Sequence, residues 1–439
     1  MNSDHAHSPD RLRISPIISG QSLRWFYLAN EFAKLGIEVH VLCPNMPALP
    51  PFSEELHGDV IVHRTWAGPY VGVSQSIYLL MSRLKNQKDS PGKVAPVDPS
   101  HQTTTLLKIY RWGRQFLDRI IFPDLRSEWV FSASLRLIQL LGSKSYNAIV
   151  SSHEPGASLI LGLLGKRISQ LPLIADLADP VVAPHAPKWR YRFDLAFEAM
   201  VLKRADAAVV TTEAASELFM NRHGLQDIRE KFSCVTQGFP SRGEKSTHIG
   251  HRCSELLKIV YTGNFYEDFR SPAQLAIALK SLEDLTIQVD FYGNHTAYQS
   301  LFEGIGHVIF HGAVDHHICL MAQQSCDVLL SLGNRQAFQV PGKIYEYLGA
   351  GVPILHIAMS ETDEAGLLIS NVGAGWAVCN ESGHIAGAIR DLHAKWLENG
   401  LKGALARRED AIEEYSWNRR AAQYAKIIRR VADISGGIN

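Results

Sequence analysis

Residues 23–44 read LRWFYLANEFAKLGIEVHVLCP, and the fold turns on how that line is parsed. Leu23, Phe26, Tyr27, Phe32 and Leu35 recur at helical spacing. Gly36 stops the helix as a C-terminal glycine does, and the β-branched run IEVHVLCP follows directly as a strand. The same helix, glycine, strand phrase returns at LIQLLGSKSYNAIVSS (137–152), ASLILGLLGKRISQLPLIADL (157–177) and FEAMVLKRADAAVVTTE (197–213). Strands this continuously apolar, alternating with helices, predict a parallel sheet covered on both faces.

The second half repeats the alternation. LLKIVYTGN (256–264), AQLAIALKSL (273–282), TIQVDFYGN (286–294), HVIFHG (307–312) and a helix to Gln323 are followed by CDVLLSLG (326–333), a helix from Lys343 and VPILHI (352–357). Several of these strands end at a glycine or a small polar residue, and open parallel sheets bind ligands beyond the carboxyl ends of their strands. The polar stretch SRGEKSTHIGHRCSE (241–255) marks the domain boundary. The expected organisation is a first domain over 1–245, with a flexible surface insertion at 85–104, and a second over 246–412. An Arg-rich C-terminal helix over 413–439 would return to the first domain.

Composition removes several function classes. Lys plus Arg and Asp plus Glu both number 44, so the formal charge is zero, and no nucleic-acid partner is expected. The hydrophobic share of 46% suffices for sizeable cores and excludes wholesale disorder. The polar opening MNSDHAHSP and the lack of a long apolar run argue for a cytoplasmic chain without an integral anchor. Cys43, Cys234, Cys253, Cys319, Cys326 and Cys379 are scattered, with no CxxC spacing. His307, His311, His316 and His317 cluster in GHVIFHGAVDHH but show no familiar ligand spacing, so no metal is assigned. Leu106, Tyr110, Phe116 and Ile120, with Lys108, Arg111, Arg114 and Arg119, make 105–121 a basic amphipathic helix. It would either lie peripherally on the inner face of a membrane or pack on the core with a solvated basic side.

The most informative chemical phrase is VPGKIYEYLGAGVPIL (340–355). Pro341 and Gly342 turn the chain into a helix whose start offers unpaired N–H groups and a positive field to an anion such as a phosphate. Glu346 is suited to accept from the two hydroxyls of a ribose. The plain alternative is that Lys343 and Glu346 decorate an ordinary helical turn.

The phrase resembles the nucleotide-sugar segment of the retaining GT-B glycosyltransferases of family four, in the branch reading PGK, an aromatic, EYL, a small-residue pair and GxP. Other phrases resemble the same family in the same order: SGQSLRWFYLANEFAKLGIEVHVL, FPDLRSEWV, YNAIVSSHEPGASLILG, DLADP, CVTQGFP, IVYTGNFYEDFRSPAQLAIAL and YSW. The resemblance implies an α/β fold of two Rossmann-like domains whose parallel sheets face each other across a cleft. It implies transfer of a sugar, with retention, from a nucleotide diphosphate donor to a glycan or lipid-linked acceptor, in cell-surface polysaccharide assembly. The nucleotide sugar is a co-substrate, and no other cofactor is expected.

Residue by residue, the resemblance implies that Glu346 holds the ribose and that Val340, Pro341, Gly342 and Lys343 lie near the phosphates. Arg270 takes the basic position against the diphosphate. Gly20, Gln21, Gly263, Asn264, Gly293, Gly312 and Val314 line the donor, with His153 facing the sugar. Arg24 and Asp179 stand on the acceptor side, and Arg270, Lys343 and His153 form the catalytic set.

Three departures stand out. Phe338 replaces the first of the family's two acidic residues eight apart, which points to a donor sugar lacking a hydroxyl there. Ala178 replaces the arginine of DxRDP, and Gln237 the asparagine before GF. Only RLRISPII precedes Gly20 where the family has an apolar strand. A short strand at Leu12–Ser15 or a lost first strand would each account for this. The rival readings are a nucleotide-sugar 2-epimerase and a non-catalytic sugar-nucleotide or glycan-binding module.

Overall fold

The computed structural model describes residues 20–46, 56–72, 121–182, 188–240, 255–267, 270–335, 339–401 and 403–436. The candidate strand at Leu12–Ser15, the 85–104 insertion, Phe338 and the 105–121 stretch, apart from Ile121, lie outside these residues. The chain forms two compact units, one of residues 1–235 with 422–439 and one of residues 236–421.

The first unit opens with helix α1 (Gly20–Lys34), whose inward side is Arg24, Phe26, Tyr27, Leu28, Ala29, Phe32 and Ala33. Leu35, expected on that stripe, is 44% exposed because the helix has ended before it. Strands β1 (Val39–Asn45) and β2 (Val60–Trp66) pair in parallel, with Val39 opposite Val60. Helix α2 (Trp129–Ser143) and α3 (Gly156–Ser169) alternate with β3 (Ile149–His153) and β4 (Leu173–Leu177). Helix α4 (Tyr191–Arg204), β5 (Ala207–Val210), α5 (Glu213–His223) and β6 (Phe232–Cys234) complete the series. The described strands β3 to β6 lie in chain order, all parallel. Every residue of β4 and β5 is buried, which is why these strands read as continuous apolar runs.

In the second unit the order is β7 (Leu257–Thr262), helix α6 (Ala273–Lys280), β8 (Ile287–Tyr292), β9 (Val308–Gly312), α7 (His316–Gln324), β10 (Val328–Leu332) and α8 (Gly342–Ala350). Then come β11 (Ile354–Ala358), α9 (Glu364–Asn371), β12 (Gly375–Cys379), α10 (Ser382–Asn399) and the short α11 (Glu409–Glu413). Its six strands form one parallel sheet in the order β12-β11-β10-β7-β8-β9. The chain winds outward from β7 to β9, returns to the other side of β7 as β10, and winds outward again. The sheet therefore has its switch point between β7 and β10, where open α/β sheets form their binding crevice.

Two of the sequence phrases meet beside this sheet. Phe239 of QGFP pairs with the YSW phrase: its N–H donates to the Tyr415 carbonyl (3.2 Å), and the Trp417 N–H donates to the Phe239 carbonyl (2.9 Å). The Phe239 ring, 2% exposed, lies against α8, where a Cβ on Gly349 would stand 2.5 Å from it. That glycine is a packing requirement of the phrase EYLGAG. The last helix, α12 (Trp417–Gly436), starts in the second unit and ends in the first. Its buried Tyr424 meets Trp25 and Phe32 edge-on, both at 5.7 Å.

Strands β7 and β8 end on the same pattern, TGN and YGN, and the two loops interlock. Gly293 has φ +143° and donates its N–H to Gly312 (2.8 Å), and Asn264 Oδ1 accepts from the Asn294 N–H (2.9 Å). A Cβ at Gly293 would run into the carbonyl of Gly263. Gly293→Ala is therefore expected to destabilise the protein by about 1–3 kcal/mol through strain and overpacking, read as a lower denaturation midpoint. An unchanged midpoint would mean that the loop has room to give.

Candidate functional site

The switch point is bounded by Thr262, Gly263 and Asn264 after β7 and by Gly333 and Asn334 after β10. Arg270 reaches across it: Nη2 donates to Asn334 Oδ1 at 2.5 Å. Its backbone exchanges two hydrogen bonds with Tyr266 (2.8 and 3.1 Å), and its guanidinium lies 6.0 Å from the Tyr266 ring centre. Among the described residues, Arg270 Nε is buried without a hydrogen-bond partner. A cation fixed at the carboxyl ends of the strands with an unused donor is a group awaiting an acceptor. Nearby, burial pushes the His295 ring down to about 4, so beneath the Gly293 loop it is neutral at pH 7.

Glu346 lies on α8, about one turn in from its start at Gly342. Lys343 Nζ donates to Oε2 (2.7 Å), Gln323 Nε2 donates to the same oxygen (3.2 Å), and His316 Nε2 stands 3.3 Å from Oε1. Gln323, fully buried on α7, also donates to Thr262 Oγ1 (2.9 Å), and Thr262 N–H donates to Tyr347 Oη (2.8 Å). The carboxylate is thus tied to the end of β7 through buried groups. It still exposes 12% of its side chain, which leaves a ligand access to it. Oε1, facing His316 alone, has acceptor capacity to spare.

Burial alone would push the Glu346 carboxyl up. The Lys343 ammonium, and after it the His316 ring, outweigh burial and hold the group well below its ordinary value near 4.5. A carboxyl depressed in the folded state contributes stability that is complete above its unfolded value and disappears as the pH falls toward the folded one. Wild type should therefore lose melting temperature more steeply than Glu346→Gln as the pH drops below about 4.5. Parallel acid limbs in the two proteins would refute this linkage.

The remaining residues of this unit expected near a donor fall where the sheet ends or at the start of α8. Gly263, Asn264, Gly293 and Gly312 close β7, β8 and β9, and Val314 lies in the loop that leads to α7. Val340 packs partly buried beside α8, whose N-cap is Pro341 and whose first residue is Gly342. Lys343 is 30% exposed and bound to Glu346, so its partner here is the Glu346 carboxylate and not a phosphate.

In the first unit, Gln21 at the start of α1 donates to Ser152 Oγ (2.5 Å) and to Asp176 Oδ1 (3.1 Å). A Cβ at Gly20 would meet nothing among the described residues within 4 Å. Arg24, expected on the acceptor side, is a correction. It is 0% exposed, donating to Asp176 Oδ2 (3.0 Å) and to the Val235 carbonyl (2.9 Å). The arginine of SGQSLRW and the first aspartate of DLADP are thus one buried ion pair joining α1 to β4. Arg24→Ala would strand the Asp176 charge and is expected to cost about 3–5 kcal/mol. A denaturant titration with an unchanged midpoint would contradict this.

His153 ends β3, is 8% exposed, and its Nδ1 has no hydrogen-bond partner. The helix that follows, α3, begins at Gly156, whose N–H donates to Asp124 Oδ2 (2.5 Å), so the FPD and HEPG phrases meet. Asp179 is exposed in the loop after β4.

Gln323, Thr262, His316 and Asn334 were missing from the sequence-derived site. His316 did carry a signal, since the DHH pair opens α7, but it was set aside with the other histidines. Of those, His311 bonds Asp290 (2.8 Å) and stacks on Tyr292 at 4.2 Å. Among the described residues no group of three or more His, Cys, Asp or Glu converges as a metal site, and no helix is long and apolar enough to cross a membrane.

Residues 19–230, a little under half of the chain, match the family model of the glycosyl transferase 4-like domain. No curated protein is matched by the sequence. Among solved structures the chain is similar to a sucrose-phosphate synthase from Thermosynechococcus elongatus, at 15% identity and TM-score 0.60 over 94% of each chain. It is similar to a glycosyltransferase from Rickettsia africae at 11% and 0.57, over 94% of this chain and 96% of that one. It also resembles Anabaena HepE in complex with UDP, at 14% and 0.52, over 68% and 82%. The fold is accordingly the mixed α/β, parallel-sheet fold of GT-B glycosyltransferases.

Proposed function

From the premise that the domain over residues 19–230 makes the chain a glycosyltransferase, we propose that it moves a sugar from a nucleotide diphosphate donor to a hydroxyl of a glycan or lipid-linked acceptor, with retention, in surface-polysaccharide assembly. The observation that carries the donor assignment is Glu346: an ionised, partly accessible carboxylate held at the switch point by Lys343, His316 and Gln323. Paired carboxylate oxygens suit the vicinal hydroxyls of a ribose. Arg270, at the carboxyl ends of β7 and β10, is placed to balance the charge that grows on a departing diphosphate. No protein nucleophile is required where the leaving diphosphate itself accepts the acceptor's proton on the face it vacates, so the protein's part is positioning and charge stabilisation.

The neighbour from Anabaena is a UDP complex, which makes UDP the first probe. A thermal-shift series with UDP, GDP, CMP and dTDP tests the reading, because a ligand of the folded state raises the midpoint. The expected result is stabilisation by one nucleoside diphosphate, followed by its release from a nucleotide sugar only when an acceptor is added. Release without an acceptor would favour an epimerase. Binding without turnover on any acceptor would favour a non-catalytic module, and no response to any nucleotide would end the proposal. The apolar Phe338 supports a deoxy or acetamido sugar, and a donor panel that prefers glucose or mannose would reject that part.

A further inference from the structure

We propose that the first unit docks on an anionic phospholipid surface through the start of α4, where residues 188–193 read KWRYRF. Trp189, Tyr191 and Phe193 are 50%, 50% and 59% exposed. Large aromatics on a protein surface are usually scattered singly, and three within five residues mark an interaction surface. Two of them are also held in place. Trp189 meets Phe193 edge-on at 6.1 Å, Phe193 leans on Phe122 at 6.3 Å, and Phe122 rests on the buried Phe197 at 5.6 Å. The Trp189 and Phe193 rings are therefore presented by the core, and little ordering cost remains for docking them.

Charge selects the partner. Lys188 and Arg192 are exposed among the rings, and Lys203 and Arg204 are exposed at the far end of the same helix. Both acids of the segment are 0% exposed. Asp194 is held by Arg190 Nε (3.0 Å), and Glu198 by Arg222 (2.8 Å) and His223 (2.7 Å). From Lys188 to Arg204 the described surface is thus cationic only, in a chain of zero net charge. Aromatic rings with interleaved cations settle at the boundary between headgroups and acyl chains, and anionic headgroups supply the matching charge. A glycan would use the ring faces without needing the cations. This surface needs no donor, so its failure leaves the donor site standing, and the reverse also holds.

The test sediments the full chain with vesicles of phosphatidylcholine alone and of phosphatidylcholine mixed with phosphatidylglycerol. Retention is expected on the mixed vesicles only, reversed by salt. Lys188→Ala with Arg192→Ala should weaken it by about fivefold per charge, and Trp189→Ala with Phe193→Ala by roughly tenfold or more. The charge variant changes only exposed side chains, so it keeps the test decisive if the aromatic variant melts early. Absence of retention, equal retention on neutral vesicles, wild-type retention by the charge variant, or capture by a soluble glycan in place of vesicles would each overturn the proposal.

Discussion

Glu346→Gln is expected to raise the dissociation constant for the cognate nucleoside diphosphate roughly 30- to 100-fold, because two charge-assisted hydrogen bonds to ribose become neutral ones. The substitution preserves shape, and the surroundings can absorb the loss of charge. Lys343 is 30% exposed and can turn to solvent, while Gln323 keeps its bond to Thr262. The fold should therefore survive, and the acid limb described above reports on the same side chain independently of any ligand. Isothermal titration with wild type and variant decides the matter. An unchanged affinity, in a variant whose melt shows it folded, would place the nucleoside elsewhere and remove the observation on which the donor assignment rests.

The four- and six-stranded sheets were legible because parallel strands buried on both faces are written as apolar runs with glycine punctuation, as in LIADL and CDVLLSLG. All five residues of β4 and of β10 are buried. Glu346 could be proposed from sequence because its signal is local: a helix start, a lysine and a carboxylate within seven residues. What was not legible is chemistry that only tertiary structure assembles. An arginine one turn into an amphipathic helix reads as a solvent-facing cation, and nothing near Arg24 announces Asp176, which lies 152 positions away. Gln323 likewise reads as the polar end of a helix until α7 and α8 bring it within 3.2 Å of Glu346. The same limit explains phrases of family resemblance whose packing roles show only in the fold. Asp124 of FPD caps α3, and the glycine of EYLGAG makes room for Phe239.

Arg270→Ala should lower turnover by about 10²–10³-fold while changing the apparent affinity for the donor much less, since charge on the leaving diphosphate is largest in the transition state. The geometry favours this split. Arg270 is held at the strand ends by its backbone pairing with Tyr266 and by guanidinium contacts to Asn334, Tyr261 and the Tyr266 ring, while its Nε has no partner among the described residues. Truncation removes no core side chain, so stability should change by no more than about 1 kcal/mol. Arg270→Lys should recover part of the rate, because it restores a charge without the planar fork. Single-turnover kinetics with saturating donor separate the chemical step from binding. If the alanine variant kept wild-type turnover, the charge balance would have to come from Lys343, which would first have to leave Glu346. Loss of affinity with the rate unchanged would instead make Arg270 a donor-binding group and leave the departing diphosphate to another cation.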